Sequence, residues 1–299
     1  MAQPFTLMIP VLEPMIEQHP DQAALMQSAS SLYELGLRWN PSDARARYGL
    51  GTVSLVTGQY FDAIEHLSRA IGSETRDPLG HLRLGSALWN SGDDTNAVAA
   101  FQRANASNFL VSRGDQYGAN AKLALAETYY QVASLIREQT RAYSGLGQVR
   151  QAQGRWQESR DYFLRALQVD PNNVEAELGL SNVFLYGLGD PRAARPHVRR
   201  AVDLQPGLWA YLLMGDSYRL DKDYAEAAQW YGQAAVADPK SELPLIFQGW
   251  NLQAQGNLDK AIELFRAAQI RNPLAAQADT ALAALYVQRG DRDSAITSY

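Results

Sequence analysis

Small residues recur along this chain at one fixed interval. Gly51 in "YGLGTVS" and Gly85 in "LRLGSAL" lie 34 residues apart, and Gly147, Ser181, Gly215, Gly249 and Ala283 repeat the same step downstream. A helix built like "WAYLLMGDSYRL" (209–220) loses about 1 kcal/mol by holding Gly rather than Ala at its centre. Accepting that loss at one register, again and again, implies that another part of the chain must come close to the backbone there. Self-similarity at a period of roughly 20–50 residues marks an architecture in which each unit buries its apolar face on its neighbours.

Three further positions keep the same register. A second small residue follows the first by twelve, at Ala63, Ala97, Ser159, Ala193, Ala227, Ala261 and Ala295. A bulky one follows four later, at Leu67, Phe101, Phe163, Tyr231, Phe265 and Tyr299, and another Ala three beyond that, at Ala70, Ala104, Ala166, Ala234 and Ala268. Gly58, Gly92, Gly154 and Gly256 punctuate the middle of a unit, where a first helix would end and turn. Pro171, Pro206, Pro239 and Pro273 close several units, and Pro cannot continue a helix. Apolar residues recur at helical spacing and no stretch alternates long enough for a strand, so the fold class is all-α with two helices per unit.

This pattern resembles the tetratricopeptide repeat, a 34-residue helix–turn–helix unit with W-x2-L-G-x2-Y, then A-x3-F, then P. The best copy reads Tyr211-x2-Met214-Gly215-x2-Tyr218, then Ala227-x3-Tyr231, then Pro239. The resemblance covers most of residues 44–299 and implies an α-solenoid whose stacked pairs form a right-handed superhelix. It also implies that the concave groove of that superhelix is lined by first-helix side chains.

At 100° per residue, Tyr211, Met214 and Tyr218 share one face of 209–220, and Trp209, Leu212, Asp216 and Arg219 share another. By the resemblance the second face points to the groove. Leu243, Ile246 and Trp250 hold the equivalent positions one unit on, Trp89 an equivalent one in the second clear unit, and Arg141 one two units earlier. These nine residues are the expected partner-binding set, because aromatic anchors beside an Arg are what interaction hot spots are made of. For Leu212, Ile246 and Trp250, packing of one unit on the next is an equally open reading.

The register weakens in four places. Residues 1–43 keep Ala29, Tyr33 and Pro41 in step and read as a degenerate N-terminal capping repeat; 44–104 hold two units. Residues 105–139 read as an irregular repeat or an insertion, with Gly114 and Tyr117 in a poor first helix and Ala126, Tyr130 and Ala133 in a second. Residues 140–299 hold four full units and a truncated last one. In "GDPRAARPHVRR" the small residue shifts by one and Pro196 falls within the first turns, so a kink or a late helix start is expected there. The last unit stops before its second helix can finish, which suggests a piece of a longer protein and leaves self-association through that unfinished repeat as an option.

Composition narrows the chemistry. With 299 residues and 46% hydrophobic content the chain is too long for one core and too apolar for disorder. A net charge of −5 leaves no electrostatic footprint for nucleic acid. Cys is absent, which excludes disulfides, thiolate catalysis and Cys-ligated zinc. His19, His66, His81 and His197 show no metal-ligand spacing, and no phosphate-binding glycine loop precedes a helix. No enzyme, metal site or cofactor is therefore expected. "NAS" at Asn105 fits a glycosylation acceptor by coincidence, and Arg192, Arg195, Arg199 and Arg200 are expected on a solvated outer face.

The N-terminal stretch is broken by Pro4, Pro10 and Pro14, and no run reaches the roughly 20 apolar residues of a membrane span, so this piece is expected to be soluble without inserting in a membrane. The excess of Arg over four lysines suggests a GC-rich bacterial genome, and hence a bacterial cytoplasm or periplasm. Two uses of the family fail by residue. The clamp for chaperone carboxylates needs Lys and Asn where this chain has Leu82 with Ser86 and Ser144 with Gln148. The sugar-transferase Asn ladder meets Gly145, Gly179, Leu213 and Phe247. The function expected is a non-catalytic scaffold that binds a peptide or partner helix. The alternatives are the tail of a membrane glycosyltransferase resembling O-antigen ligases, and a self-assembling scaffold.

Overall fold

Every recurring Pro sets a helix end. Second helices stop at Val169, Leu204, Ala237 and Arg271, each two residues ahead of Pro171, Pro206, Pro239 and Pro273. The ring that follows pushes its predecessor out of the helical region, so the break falls where the spacing predicts. The computed structural model of the protein describes residues 22–72, 77–137 and 139–297. The Pro-broken N-terminal stretch, with half of the expected capping repeat, and the last bulky position, Tyr299, lie outside these residues.

Among the described residues there are seventeen α-helices, one π-helical segment and no strand. They fall into two compact units, Met1–Glu138 and Gln139–Tyr299. The first holds α1 (Ala23–Trp39), α2 (Ala44–Val56), α3 (Tyr60–Ile71), α4 (Pro78–Ser91), α5 (Asp94–Arg103), α6 (Ser107–Ala119) and α7 (Leu123–Ile136). The second holds α8 (Thr140–Ala152), α9 (Trp156–Val169), α10 (Val174–Asn182), α11 (Pro191–Leu204), α12 (Leu208–Leu220), α13 (Tyr224–Ala237), α14 (Leu243–Ala254), α15 (Leu258–Arg271), α16 (Ala276–Arg289) and α17 (Arg292–Thr297). Within each unit helices pack on their neighbours in chain order, as in an α-solenoid.

In six helix pairs among the described residues a glycine is a socket for the bulky residue sixteen positions later. A Cβ added at Gly51, Gly85, Gly114, Gly147, Gly215 or Gly249 would come within 2.4–2.8 Å of Leu67, Phe101, Tyr130, Phe163, Tyr231 or Phe265 respectively. Those distances are well inside van der Waals contact, so only Gly lets the two helices pack this closely. Phe163 is pinched from both sides, since a Cβ on Gly179 of the following helix would meet the same ring at 2.4 Å.

Residues 105–139 are a complete helix pair, α6 and α7, in which Gly114 and Tyr130 keep the socket spacing. What is irregular is the approach. Helix α5 ends at Arg103, two residues after its bulky Phe101, where α9, α13 and α15 run on for six residues. The chain turns into α6 through residues 104–106, with Asn105 at φ 51. The interval between Gly85 and Gly114 is shortened at the second helix and its exit.

Pro196 lies inside its helix, which starts one residue later than the period set by Trp156 and Tyr224 requires. Helix α11 runs from Pro191 to Leu204 with Pro196 inside it, capped by the Asp190 carboxylate at the Ala193 amide. The proline is exposed and forfeits one bond, to the carbonyl of Arg192 at the helix start. The extra residue is taken up earlier, where α10 continues as a π-helical turn, Val183–Gly187, closed by the Leu188 amide on the Val183 carbonyl at 2.9 Å. A single π turn inserts one residue. The buried positions of α11 are accordingly Ala194, Val198 and Ala201, each one later than the period requires, and the connection to α12 is shortened to 205–207.

At the mid-unit turn, Gly154 and Gly256 have φ of 71° and 80°. Lys222, 34 residues before Gly256, holds φ 66° without being Gly. Left-handed backbone costs a side chain about 1–2 kcal/mol, less the entropy that Gly adds to the unfolded chain. Lys222→Gly is therefore expected to raise stability by about 0.5–1 kcal/mol in urea unfolding. Gly215→Leu drives a side chain into Tyr231 and should cost at least about 1–3 kcal/mol. Gly207→Leu meets nothing within 4 Å and should stay within about 0.5 kcal/mol of the parent chain. Thermal melts of the two variants side by side test the socket.

Candidate functional site

Three successive first helices of the second unit enclose a hollow of about 480 Å³. Gln148 and Gln151 on α8 form one side, and Val174, Glu175, Leu178 and Asn182 on α10 the next. Gln205, Gly207 and the start of α12, Leu208 to Ala210, form the third. Phe163 reaches the hollow because the neighbouring Gly179 has no side chain to cover it. Gln148 donates its amide to the Glu175 carboxylate at 2.6 Å, and Gln151 donates to the Gly179 carbonyl at 3.2 Å. Trp209 lies in this lining and leaves 57% of its surface open.

The other expected partner-binding residues scatter. Leu212 and Ile246 are each 0% exposed, packed respectively against Ala227, Tyr231 and Phe247 and against Phe265 and Leu282. Asp216 is 1% exposed. These three are corrected from groove residues to interior ones. A first helix here is covered on most of its circumference, by its own second helix and by both adjacent repeats. In α12 this leaves Ala210 and every residue from Leu212 to Ser217 buried. Leu243 and Trp250 are half-buried, with Trp250 set edgewise on Phe247 at 4.9 Å between ring centroids. Arg219 turns inward onto Asp216. Arg141 is exposed at the start of α8, outside the hollow lining. In the first unit Trp89 lines a separate cavity of about 100 Å³ with Phe101, Leu110 and Tyr129.

Glu175, Asn182 and Gln205 were not singled out by sequence reasoning, although a signal existed for one of them. Gln148, Asn182 and Asp216 are 34 apart and carry polar groups at one register on three successive first helices.

Asp216 is the acceptor of a buried network. Its carboxylate takes hydrogen bonds from the Tyr231 hydroxyl at 2.6 Å, from Arg219 Nε at 2.7 Å and from the Tyr186 hydroxyl, which the π-helical turn presents. The same pairing recurs in the first unit, where Tyr130 donates to Asp115 at 2.8 Å. In both cases Asp directly follows the socket Gly, and the bulky residue is Tyr. Among the described pairs whose bulky residue is Phe, that position holds Ser86, Gln148 or Trp250. A buried phenol needs an acceptor, and Asp supplies it.

The four arginines of α11 do more than coat an outer face. Arg192 and Arg195 both pair with Asp221 of the next repeat, at 3.2 and 2.7 Å, and Arg200 donates to Asn172 of the preceding one at 2.6 Å. Arg195 and Arg199 stack over Tyr218 and Trp230. His197 is engaged by the Glu177 carboxylate at 2.7 Å. No helix among the described residues is long and apolar enough to cross a membrane.

Burial, and then the Asp216 carboxylate, push the phenols of Tyr186 and Tyr231 well above their ordinary value of 10.0. An acid whose folded pKa is raised contributes stability that is complete below its unfolded pKa and is lost as pH climbs beyond it. Stability should therefore fall above pH 10. Tyr231→Phe should cost about 1–2 kcal/mol at neutral pH, as one donor to a buried carboxylate is lost. The same variant should show a flatter decline between pH 10 and 12, read from urea midpoints across that range.

Comparison with known proteins agrees with this architecture. Models described as tetratricopeptide repeat match residues 138–207 and residues 20–78, 55–109, 185–242 and 248–299. The crystal structure of a tetratricopeptide repeat protein from Parabacteroides merdae superposes with a TM-score of 0.59 at 12% identity, over 89% of this chain and 90% of that one. PilW, a type IV pilus biogenesis factor, gives 0.57 at 16% identity over 64% of this chain and 90% of its own. Among curated proteins, human protein O-mannosyl-transferase TMTC1 is 28% identical over 174 residues, 56% of this chain. The matched part is a fifth (20%) of that relative's length. With the socket register running through both units and the family models covering most of the sequence, the chain belongs to the tetratricopeptide repeat family.

Proposed function

We propose that the chain is a non-catalytic protein-binding module that takes a peptide segment of its partner across the hollow of the second unit. The observation that carries this reading is Trp209, a large aromatic left open beside a concavity whose other residues offer amides and a carboxylate. Exposed indoles next to polar rims are where binding energy concentrates when a partner excludes water. The family supports it, since stacked repeats present extended surfaces to other chains. Leu212, Asp216 and Ile246 hold the walls in place and make no contact with the guest.

A second reading has one observation in its favour. The likeness to a human O-mannosyl-transferase is to a protein about five times the length of the matched part, so the array could serve as the repeat region of a larger glycosyltransferase. The two readings agree on what the hollow does and differ on what it is attached to. The sequence of the parent gene on either side of these residues decides between them.

Trp209→Ala should weaken peptide capture by at least about tenfold, the loss of a hot-spot side chain, with the urea midpoint unchanged. Trp250→Ala, by contrast, should lower the midpoint because Trp250 packs on Phe247. Isothermal titration with a peptide selected on the full chain measures the first effect, and circular dichroism in urea the second. A folded Trp209→Ala chain that binds as well as the parent overturns the site.

A further inference from the structure

The formal charge of the hollow's lining is unbalanced. Gln148 and Gln151 each donate one amide N–H to the protein, to Glu175 and to the Gly179 carbonyl respectively. Among the described residues, the side-chain oxygens of those two glutamines, and the second oxygen of Glu175, accept no hydrogen bond. A primary amide carries two N–H groups, so each glutamine keeps one donor beside its carbonyl acceptor, whereas an ionised carboxylate is an acceptor alone. Glu175 is also the one formally charged residue of the lining, and it is exposed. The α10 and α8 walls therefore offer amide groups and one negative charge to whatever enters.

The opposite wall is the start of α12. Helix α12 starts at Leu208 behind Gly207, with no side chain capping it. The free N–H groups of a first turn and the helix dipole amount to about half a positive elementary charge. Trp209 stands on that start and adds an aromatic face that attracts cations.

We propose that this hollow selects a basic residue, Arg or Lys, of the bound peptide. Its guanidinium or ammonium group goes to Glu175 and the oxygens of Gln148 and Gln151, against the Trp209 indole. A guanidinium suits this wall best, since it carries five donors and no acceptor. The proposal rests on the reading of the hollow as the peptide site and adds the chemistry of the residue that it reads.

A random dodecapeptide library displayed on phage, selected on the full chain, tests both statements separately. The enriched peptides are expected to share an Arg or Lys at one position. For a synthetic peptide of that consensus, replacing the basic residue by Ala should raise Kd at least tenfold. Glu175→Gln should raise Kd about as much, and Glu175→Lys more. In the double-mutant cycle the second change should add little once the first is made. Enriched peptides that need Trp209 but carry no basic position, or that bind equally to Glu175→Lys, overturn the selection of a cation and leave the peptide site standing. A selection that yields no peptide sensitive to Trp209→Ala overturns the peptide site and this inference with it.

Discussion

Most helix pairs of this molecule are organised around a bulky side chain, usually an aromatic ring, seated on a glycine. The first helix of a pair gives up a side chain so that the bulky residue of the second can press against its backbone, and the pair then behaves as one block. The contact is short-range and steep, because a single added carbon would overlap the ring by more than an ångström. Dispersion and burial together favour the closed pair, while the helix propensity forfeited at Gly is about 1 kcal/mol. Where the ring is Tyr the seat needs a second part, and Asp115 and Asp216 provide it beside the glycine.

The hollow arises from the same economy of side chains. Phe163 is gripped by Gly147 and Gly179, and the missing side chain at Gly179 is what opens the ring's edge towards α12. At the far side Gly207 adds no bulk to the approach of α12. A concavity lined by both apolar and long polar side chains therefore forms between tightly packed helices. The residues exposed there sit at helix starts and at one polar register, because the helix centres are committed to packing.

How much of this could be read from the residues depends on whether the signal was periodic. The helix pairs, the socket and the proline-set ends repeat and were legible down to single positions such as Phe163 and Pro239. Which face of 209–220 would be buried was not. A helical wheel separates faces by angle, and it cannot tell that three neighbours close around α12 and leave Trp209 open while enclosing Leu212 and Asp216. Asp216 was read as a polar surface marker for the same reason, although Tyr231 sixteen residues after Gly215 was a hint that an acceptor would be needed. The arginines of α11 looked like a solvated run because their partners, Asp221 and Asn172, belong to other repeats. Pro196 drew attention to the wrong helix, as the surplus residue is absorbed in the π turn before it.

That π turn has a consequence for how such a chain can change in length. The residue gained at Val183–Gly187 is matched by one given up at 205–207, so Gly215 stands in phase with Ser181 although the chain between them has slipped. The stacking axis keeps time and the backbone does not have to. A lost or added codon here is tolerable only when a second, nearby change restores the phase, and the unit containing Tyr186 preserves such a compensated pair in its present sequence.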